Sequence, residues 1–448
     1  MKIKSAISIF AITAVIFTLC GCLGNNTPLT VLDSKGEKIV EYKSLSKYEK
    51  DENNAYIQIA VDEAVKIIAE KQNLSEKTAK KQLFNGGYTL YTAFDSAVDK
   101  ALNKTCDSLD KEINIGGAIT DLNGNLIAAY STDSKDNLNF ATKLTDPCSA
   151  FKPLSVYAQA VENGVINWST RYEDSPYKQI KGEDGKYRDW PKNASNVYTK
   201  RYAYPFQAIK ESINTVAVKC LKDVGVNNSV DFLQTKLGIS LADEKYTASV
   251  YGEDEIIGNI ALGSLSKGVS VVDMAGYYQM FANGGYYSAP KAVLKITDNN
   301  SNEIYKIENK PQQVIKATTS ELMNRMLREV VTVGGTGEKA NCGDVEVAGK
   351  TGTDETGANN WFVGVTPQYS CSVWHSTQAN NTAPEIFSAI VNEIYENNTS
   401  AVKSFTYKAG LSTVAYCTET GKMAKAGCTL IRVGYFTHDN VPSLCERH

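Results

Sequence analysis

Apolar side chains at Ile57, Ala60, Val61, Ala64, Ile67 and Ile68 recur every three or four positions, which predicts a helix from about Tyr56 to Lys71. Ser75-Glu76-Lys77-Thr78 supplies the cap of a second helix, ended by Asn85-Gly86-Gly87. Tyr88 to Thr92 then reads as a strand, and Asp95 opens a further helix reaching about Lys111. Two short apolar runs, Ile115–Thr120 and Leu126–Tyr130, flank a loop containing Asn123-Gly124 and predict a hairpin. Ser149 to about Lys236 is mostly helical in pattern, broken by a polar, aromatic-rich loop from Arg171 to Tyr204. Helical spacing returns over about Val271–Phe281 and Ser320–Val331, separated by a strand pair at 291–297 and 303–307. Strands at 344–353, 361–366 and 370–374 follow, then a helix from Ala383 to Tyr395. Strands at both ends with helices between predict an α+β fold, an antiparallel sheet flanked by helices.

The remaining segments lack such patterning. Leu23 to about residue 55 is polar and reads as a tether, and the tail from about Ser404 reads as turn-rich and strand-poor. Residues 1–22 carry Lys2 and Lys4 ahead of an apolar run from Ala6 to Leu19, an export signal ending in Leu19-Cys20-Gly21-Cys22. Small residues before Cys22 favour a lipoprotein-processing box with Cys22 lipidated, over an uncleaved membrane helix. Either reading places the body of the protein outside the cytoplasmic membrane. The expected division is thus 1–22 signal or anchor, 23–55 tether, 56–112 helical linker and opening strand, and 113–448 main domain.

Composition adds exclusions. A net charge of −3 on 448 residues gives neither a nucleic-acid footprint nor an acidic disordered chain. The cysteines form no Cys-x-x-Cys pair and the three histidines all lie late in the chain, so neither a metal nor another cofactor is expected. The crowding of Cys417, Cys428 and Cys445 in the tail suggests a disulfide, though free thiols fit equally well.

The candidate chemistry lies in Asp146-Pro147-Cys148-Ser149-Ala150-Phe151-Lys152-Pro153. A serine hydroxyl needs an adjacent base, and the scarcity of histidine makes a Ser-His-Asp triad improbable. If a helix begins at Ser149, Lys152 lies one turn along the same face, and Pro153 is tolerated in that first turn. The same Ser-x-x-Lys spacing recurs elsewhere, as at Ser44/Lys47, Ser264/Lys267 and Ser288/Lys291, without a Pro-anchored apolar helix start. A lysine base must shed its proton, so its ordinary pKa of about 10.4 has to fall by about 3, on the order of 4 kcal/mol. Burial helps, and so does a second cation. Lys350-Thr351-Gly352-Thr353 offers one, with Gly352 marking a point of close backbone approach by a ligand. Ser212-Ile213-Asn214 is a third element, whose residues could both face a cleft from a loop between helices. Gly349-Lys350-Thr351 fails as a phosphate loop: five residues separate Gly343 and Gly349 where four are required.

Ser-x-x-Lys, Ser-x-Asn and Lys-Thr-Gly in this order resemble the penicillin-binding transpeptidases, in particular the transpeptidase part of the bifunctional class A type. Gly86 to Asp95, Ala261-Leu262-Gly263, Phe281 to Gly285, Gly335-Thr336-Gly337, Trp361 to Gly364 and Val414 to Arg432 are similar to landmarks of that family. The resemblance implies the penicillin-binding/β-lactamase-like transpeptidase fold and a D,D-transpeptidase acting on peptidoglycan stem peptides ending in D-Ala-D-Ala. It implies Ser149 as nucleophile, Lys152 as its base, and Ser212 with Lys350 as the proton relay. Asn214, Thr351, Gly352 and Thr353 would bind substrate, and β-lactams would be covalent inhibitors.

Two departures from the family accompany it. About sixty residues between Cys22 and Gly86 are too few for the glycosyltransferase domain of bifunctional members, so that activity is expected to reside in a separate partner. Cys148 stands where the family has glycine before the serine, which puts the rate in question. A serine β-lactamase or D,D-carboxypeptidase is the alternative enzyme, and a sensor binding stem peptides or β-lactams the alternative without catalysis.

Overall fold

A computed structural model describes residues 27–50, 54–109, 112–134, 136, 138–182, 184–241, 253–308, 310–377, 382–396, 398 and 401–447. The export signal and Cys22 lie outside these residues.

The fold is α+β, and its centre is a five-stranded antiparallel sheet. Its strands run in the order Ala348–Thr353, Asn360–Val365, Tyr369–His375, Ile115–Asp121 and Leu126–Ser131. The expected hairpin forms the last pair, turning at Gly124 with φ +87°. All-round burial of these strands follows from helices on both faces. Phe362, Val373 and Ile119 pack on one face with Leu102, Phe387 and Ile390 of helices Ser96–Asp107 and Ala383–Glu396. Trp361, Val363, Trp374 and Ala118 face the other way, into a core shared with Phe151, Leu154 and Met274. That alternation places the site. Lys350 pairs across the ladder with Val363, and opposed residues share a face, so Lys350 points toward the segment carrying Ser149.

The N-terminal helices match expectation: Ala55–Gln72, capped by the Asn54 side chain, and Glu76–Asn85, capped by Ser75. The polar tether does not. Leu29–Leu32 and Lys38–Tyr42 are strands of a second five-stranded sheet, which continues through Thr89–Thr92, Val293–Thr297 and Glu303–Lys306. Leu29–Leu32 runs parallel to Thr89–Thr92, with Val31 opposite Leu90. Alternation over four residues is too short to register as a period; burial of Leu29 and Val31 against distant partners creates the strand.

The tail departs from expectation for a different reason. Ser412–Cys417 and Ile431–Phe436 form an antiparallel pair. Ile431 and Val433 remain exposed, so no hydrophobic-in, polar-out pattern marks the second strand.

Because Leu29 is fully buried in the second sheet, Leu29→Ala is expected to lower unfolding free energy by about 2–5 kcal/mol in urea denaturation. A residue on a free tether would change it by less than about 0.5 kcal/mol.

Candidate active site

The segment around Ser149 is helical, but it does not start as a regular α-helix. Cys148–Phe151 is a tight 3-10 turn, Pro153–Tyr157 a wider π-type turn, and Ala158–Glu162 regular helix. Other elements fix this uneven start. The Asp146 carboxylate accepts from the Cys148 N–H at 3.0 Å, the Trp361 indole donates to Asp146 O at 2.8 Å, and the Tyr278 hydroxyl to Ala150 O at 2.5 Å. Cys148 adopts φ +50°, in the left-handed region that glycine occupies without penalty. A cysteine there costs on the order of 1 kcal/mol in backbone energy. Its thiol is buried, which, with Asp146 and Asp354 nearby, pushes its pKa up.

Lys152 is wholly buried. Its amine donates to Ser212 O at 3.0 Å, Asn214 Oδ1 at 2.5 Å and Ser212 Oγ at 3.4 Å. Lys350, also wholly buried, reaches the same hydroxyl from the opposite side, 3.0 Å from Ser212 Oγ, and donates to Thr351 O at 3.0 Å. Ser212 lies between helices Pro205–Lys210 and Asn214–Val224, as its loop position suggested, and holds φ +59°. Two non-glycine residues with left-handed backbone thus border the site, a pattern of strain held in place by surrounding structure.

Electrostatics follow from burial. Desolvation pushes the Lys152 pKa well below the ordinary lysine value, and the Lys350 cation pushes it in the same direction. Desolvation brings Lys350 down to about 7. Lys350, the second cation that the sequence offered, thus lies close enough to Lys152 to act on its proton affinity.

Ser149, half-buried, lines a cleft of about 770 Å³ together with Ser212, Thr336, Thr351 and Thr353. The Ser149 hydroxyl is not among the partners of the Lys152 amine, whose contacts go to Ser212 and Asn214. Catalytic hydrogen bonds are often loose before substrate binds, so this spacing is compatible with a nucleophile and its base.

Ala348–Thr353 is the outer strand of the central sheet and lies along the start of the Ser149 helix. Gly352 is required there by the chain's own backbone. A Cβ on it would lie 2.6 Å from Pro147 O and 3.0 Å from Ala150 N. At Gly352 the close approach is made by the backbone of the Ser149 turn. Gly263 plays the same part from the other side, since its Cβ would fall 2.0 Å from Cys148 O.

Asn214 is also more committed than a free substrate-binding amide. Its Oδ1 holds Lys152 while its Nδ2 donates to Lys192 O at 2.7 Å. Sequence reasoning missed the network that holds this corner. Asn193 donates to the buried Asp174 carboxylate at 2.7 Å and accepts from the Asn214 N–H at 3.0 Å, and Thr215 also donates to Asp174 at 2.7 Å. Asp174 and Asn193 sit in the 171–204 segment and Thr215 at the start of helix Asn214–Val224, so no spacing rule connects them. Thr336 was missed as a contact too; the Thr351 hydroxyl donates to Thr336 Oγ1 at 2.8 Å. The Gly335-Thr336-Gly337 stretch was the available signal.

The family pattern of the penicillin binding protein transpeptidase domain matches residues 117–396, more than half of the chain, and the chain belongs to that family. Among curated relatives, penicillin-binding protein 1A of Clostridium botulinum is 33% identical over 245 residues, covering 54% of this chain and 28% of that one. Penicillin-binding protein 1A/1B of Bacillus subtilis is 30% identical over 379 residues, covering 79% of this chain and 38% of that one. The chain thus spans less than half the length of these two relatives. The fold is similar to penicillin-binding protein 1A from Haemophilus influenzae, with TM-score 0.70 at 14% identity over 94% of this chain and 99% of that one. Penicillin-binding protein PonA1 from Mycobacterium tuberculosis gives TM-score 0.62 at 22% identity over 80% of this chain and 95% of that one. Among the described residues no helix is long and apolar enough to cross a membrane.

The two lysines carry a pH signature. Each has a folded pKa below its unfolded value, so between the two values the unfolded chain binds more protons and stability rises with pH. For Lys350 that window runs from about 7 up to the ordinary lysine value near 10.5. Unfolding free energy is expected to climb across this window in the native sequence and to climb less in Lys350→Met, as read by denaturant titrations at successive pH values.

Proposed function

We propose that this protein is a D,D-transpeptidase that cross-links peptidoglycan stem peptides through an acyl-enzyme on Ser149, and that penicillin acylates the same residue. The observation carrying this reading is the convergence of two fully buried lysines on the Ser212 hydroxyl, beside a cleft that Ser149 lines. Ser149 Oγ attacks the carbonyl carbon of the penultimate D-alanine, and Lys152, neutral because it is buried beside a second cation, takes the hydroxyl proton. The C–N bond to the terminal D-alanine breaks, and Ser212 passes a proton from the lysine pair to the departing amine. An amine of a second stem peptide then attacks the ester carbonyl, its C–N bond forming as the C–O bond to Ser149 breaks, and the proton it loses returns through Lys152 to Ser149 Oγ.

Among the described residues the outer strand Ala348–Thr353 has no sheet neighbour on its cleft side, which leaves its backbone free to pair with an extended peptide. Thr351 and Thr353 line the cleft where the substrate carboxylate would be held. Backbone N–H groups of Ser149 and Thr353 are the proposed donors to the oxyanion. Asn214, tied to Lys152 and Lys192, acts first by orienting the base. The family supports this chemistry over a sensor, and the intact pair of buried amines is what a binding module would not need. An export signal with lipidation at Cys22 would hold the domain at the outer face of the cytoplasmic membrane, where stem peptides lie.

Fluorescent penicillin is expected to give a stable covalent adduct on the folded protein, with labelling of Ser149→Ala reduced at least about a hundredfold. Rapid turnover of the adduct would point to a β-lactamase, and equal labelling of Ser149→Ala would sink the assignment of the nucleophile.

The acylation rate should fall as pH drops and Lys152 gains a proton. Lys350→Met removes the like charge that depresses the Lys152 pKa, so this acid limb is expected to move to higher pH. A limb that stays fixed would separate the two amines electrostatically.

A further inference from the structure

The tail beyond the last helix has little core of its own. Tyr416, Cys417, Phe436 and Cys445 are buried, while Leu430, Ile431, Val433 and Leu444 are about half or more exposed. Such a small strand pair ordinarily needs a staple to be stable. Three cysteines, spread along the tail, come together here: Cys417 at the end of one strand, Cys428 in the connecting loop and Cys445 beyond the second strand. Their sulfurs all lie within 4.8 Å of one another. A disulfide needs two sulfurs at about 2.05 Å and leaves the third without a role. Thiolates around one zinc ion, each about 2.3 Å from it, stand about 3.8 Å apart, within the observed spread.

The backbone already holds the three ligands in place. Cys417 N donates to Lys422 O at 2.8 Å, and Cys445 N donates to Met423 O at 2.8 Å, so the hairpin after Cys417 docks the segment carrying Cys445. Thr420 Oγ1 lies 3.4 Å from Cys445 Sγ, a hydroxyl placed to donate to a thiolate as second-sphere support.

We propose that Cys417, Cys428 and Cys445, the ligands brought together among the described residues, bind one zinc ion through three thiolates. Each thiol loses its proton on coordination and no electron is transferred, so no oxidant is needed. The spacing of these cysteines in sequence matches no compact zinc motif, which is why composition alone excluded a metal. The site would brace the tail where it meets the helix leading to Ser212. Tyr204 donates to Thr418 O at 2.6 Å and Ser169 to Gly421 O at 2.6 Å, and Tyr204 stacks on Phe206 of helix Pro205–Lys210.

The test uses the full chain purified with a reductant and without chelator, its metal content measured by mass spectrometry, followed by titration of the apo form with Co²⁺. The expected result is about one zinc per chain and intense sulfur-to-cobalt charge-transfer absorption. Both should fall at least about tenfold in Cys428→Ser and Cys445→Ser but persist in Cys106→Ser. If a tail variant fails to fold, the cobalt spectrum of the native chain decides alone, since those bands require thiolate ligation. Native protein that retains no zinc and gives no such bands overturns the proposal. So does metal content unchanged by the tail substitutions, or, in a parallel sample purified without reductant, a species two hydrogens lighter that binds no metal and links two of the three cysteines.

Discussion

Two amines buried together in the protein interior, with a serine hydroxyl between them, are the constraint on which the rest of this site depends. Removing an ammonium from water costs several kcal/mol, and placing two within reach of one hydroxyl adds mutual repulsion. The protein resolves this by lowering both proton affinities, Lys350 to about 7 and Lys152 well below its ordinary value. An uncharged amine at neutral pH is what a serine nucleophile requires as its base. The feature that is costly for folding is thus the one on which the proposed chemistry rests.

Holding that arrangement explains much of the surrounding architecture. Lys350 is aimed by the two-residue alternation of the outer strand, in register with Val363. Gly352 and Gly263 let that strand and a neighbouring segment approach the turn at Cys148 more closely than any side chain would permit. Trp361 and Tyr278 tie the same turn down through its carbonyls. On the third side, the Asp174–Asn193–Thr215 network fixes the start of the helix carrying Asn214. Left-handed backbone at Cys148 and Ser212 is tolerated because packing surrounds both positions. Cys148 therefore occupies a glycine conformation at a modest cost, with its thiol buried and kept protonated.

The tail extends this support. Its strand pair carries little apolar area of its own, yet it contacts Tyr204 and Trp168, next to the helix that leads into Ser212. Stiffness at the tail would reach the Ser212 loop through that helix. Family membership and this geometry point the same way, though the chain spans less than half of each of the two curated relatives described above.

Local chemistry in the sequence was enough to determine the elements with a clear period or cap, and to pick out the candidate residues. Helical spacing marked Ala55–Gln72, Ser75 marked its neighbour's cap, and Asn123-Gly124 marked the hairpin, because each depends on residues close in the chain. Ser149, Lys152, Ser212 and Lys350 stood out by type and order, since a serine without a histidine base needs a lysine and a lysine base needs a second cation. Tertiary structure decided what depends on distant partners. Leu29–Leu32 became a strand only by pairing with Thr89–Thr92, and the tail strands formed without an alternating pattern to announce them. Gly352 proved to accommodate the chain's own backbone, Asn214 to accept from the Lys152 amine, and the sulfurs of Cys417, Cys428 and Cys445 to lie within 4.8 Å of one another. Burial, which sets both lysine proton affinities, is a property of the whole fold and no residue spacing encodes it.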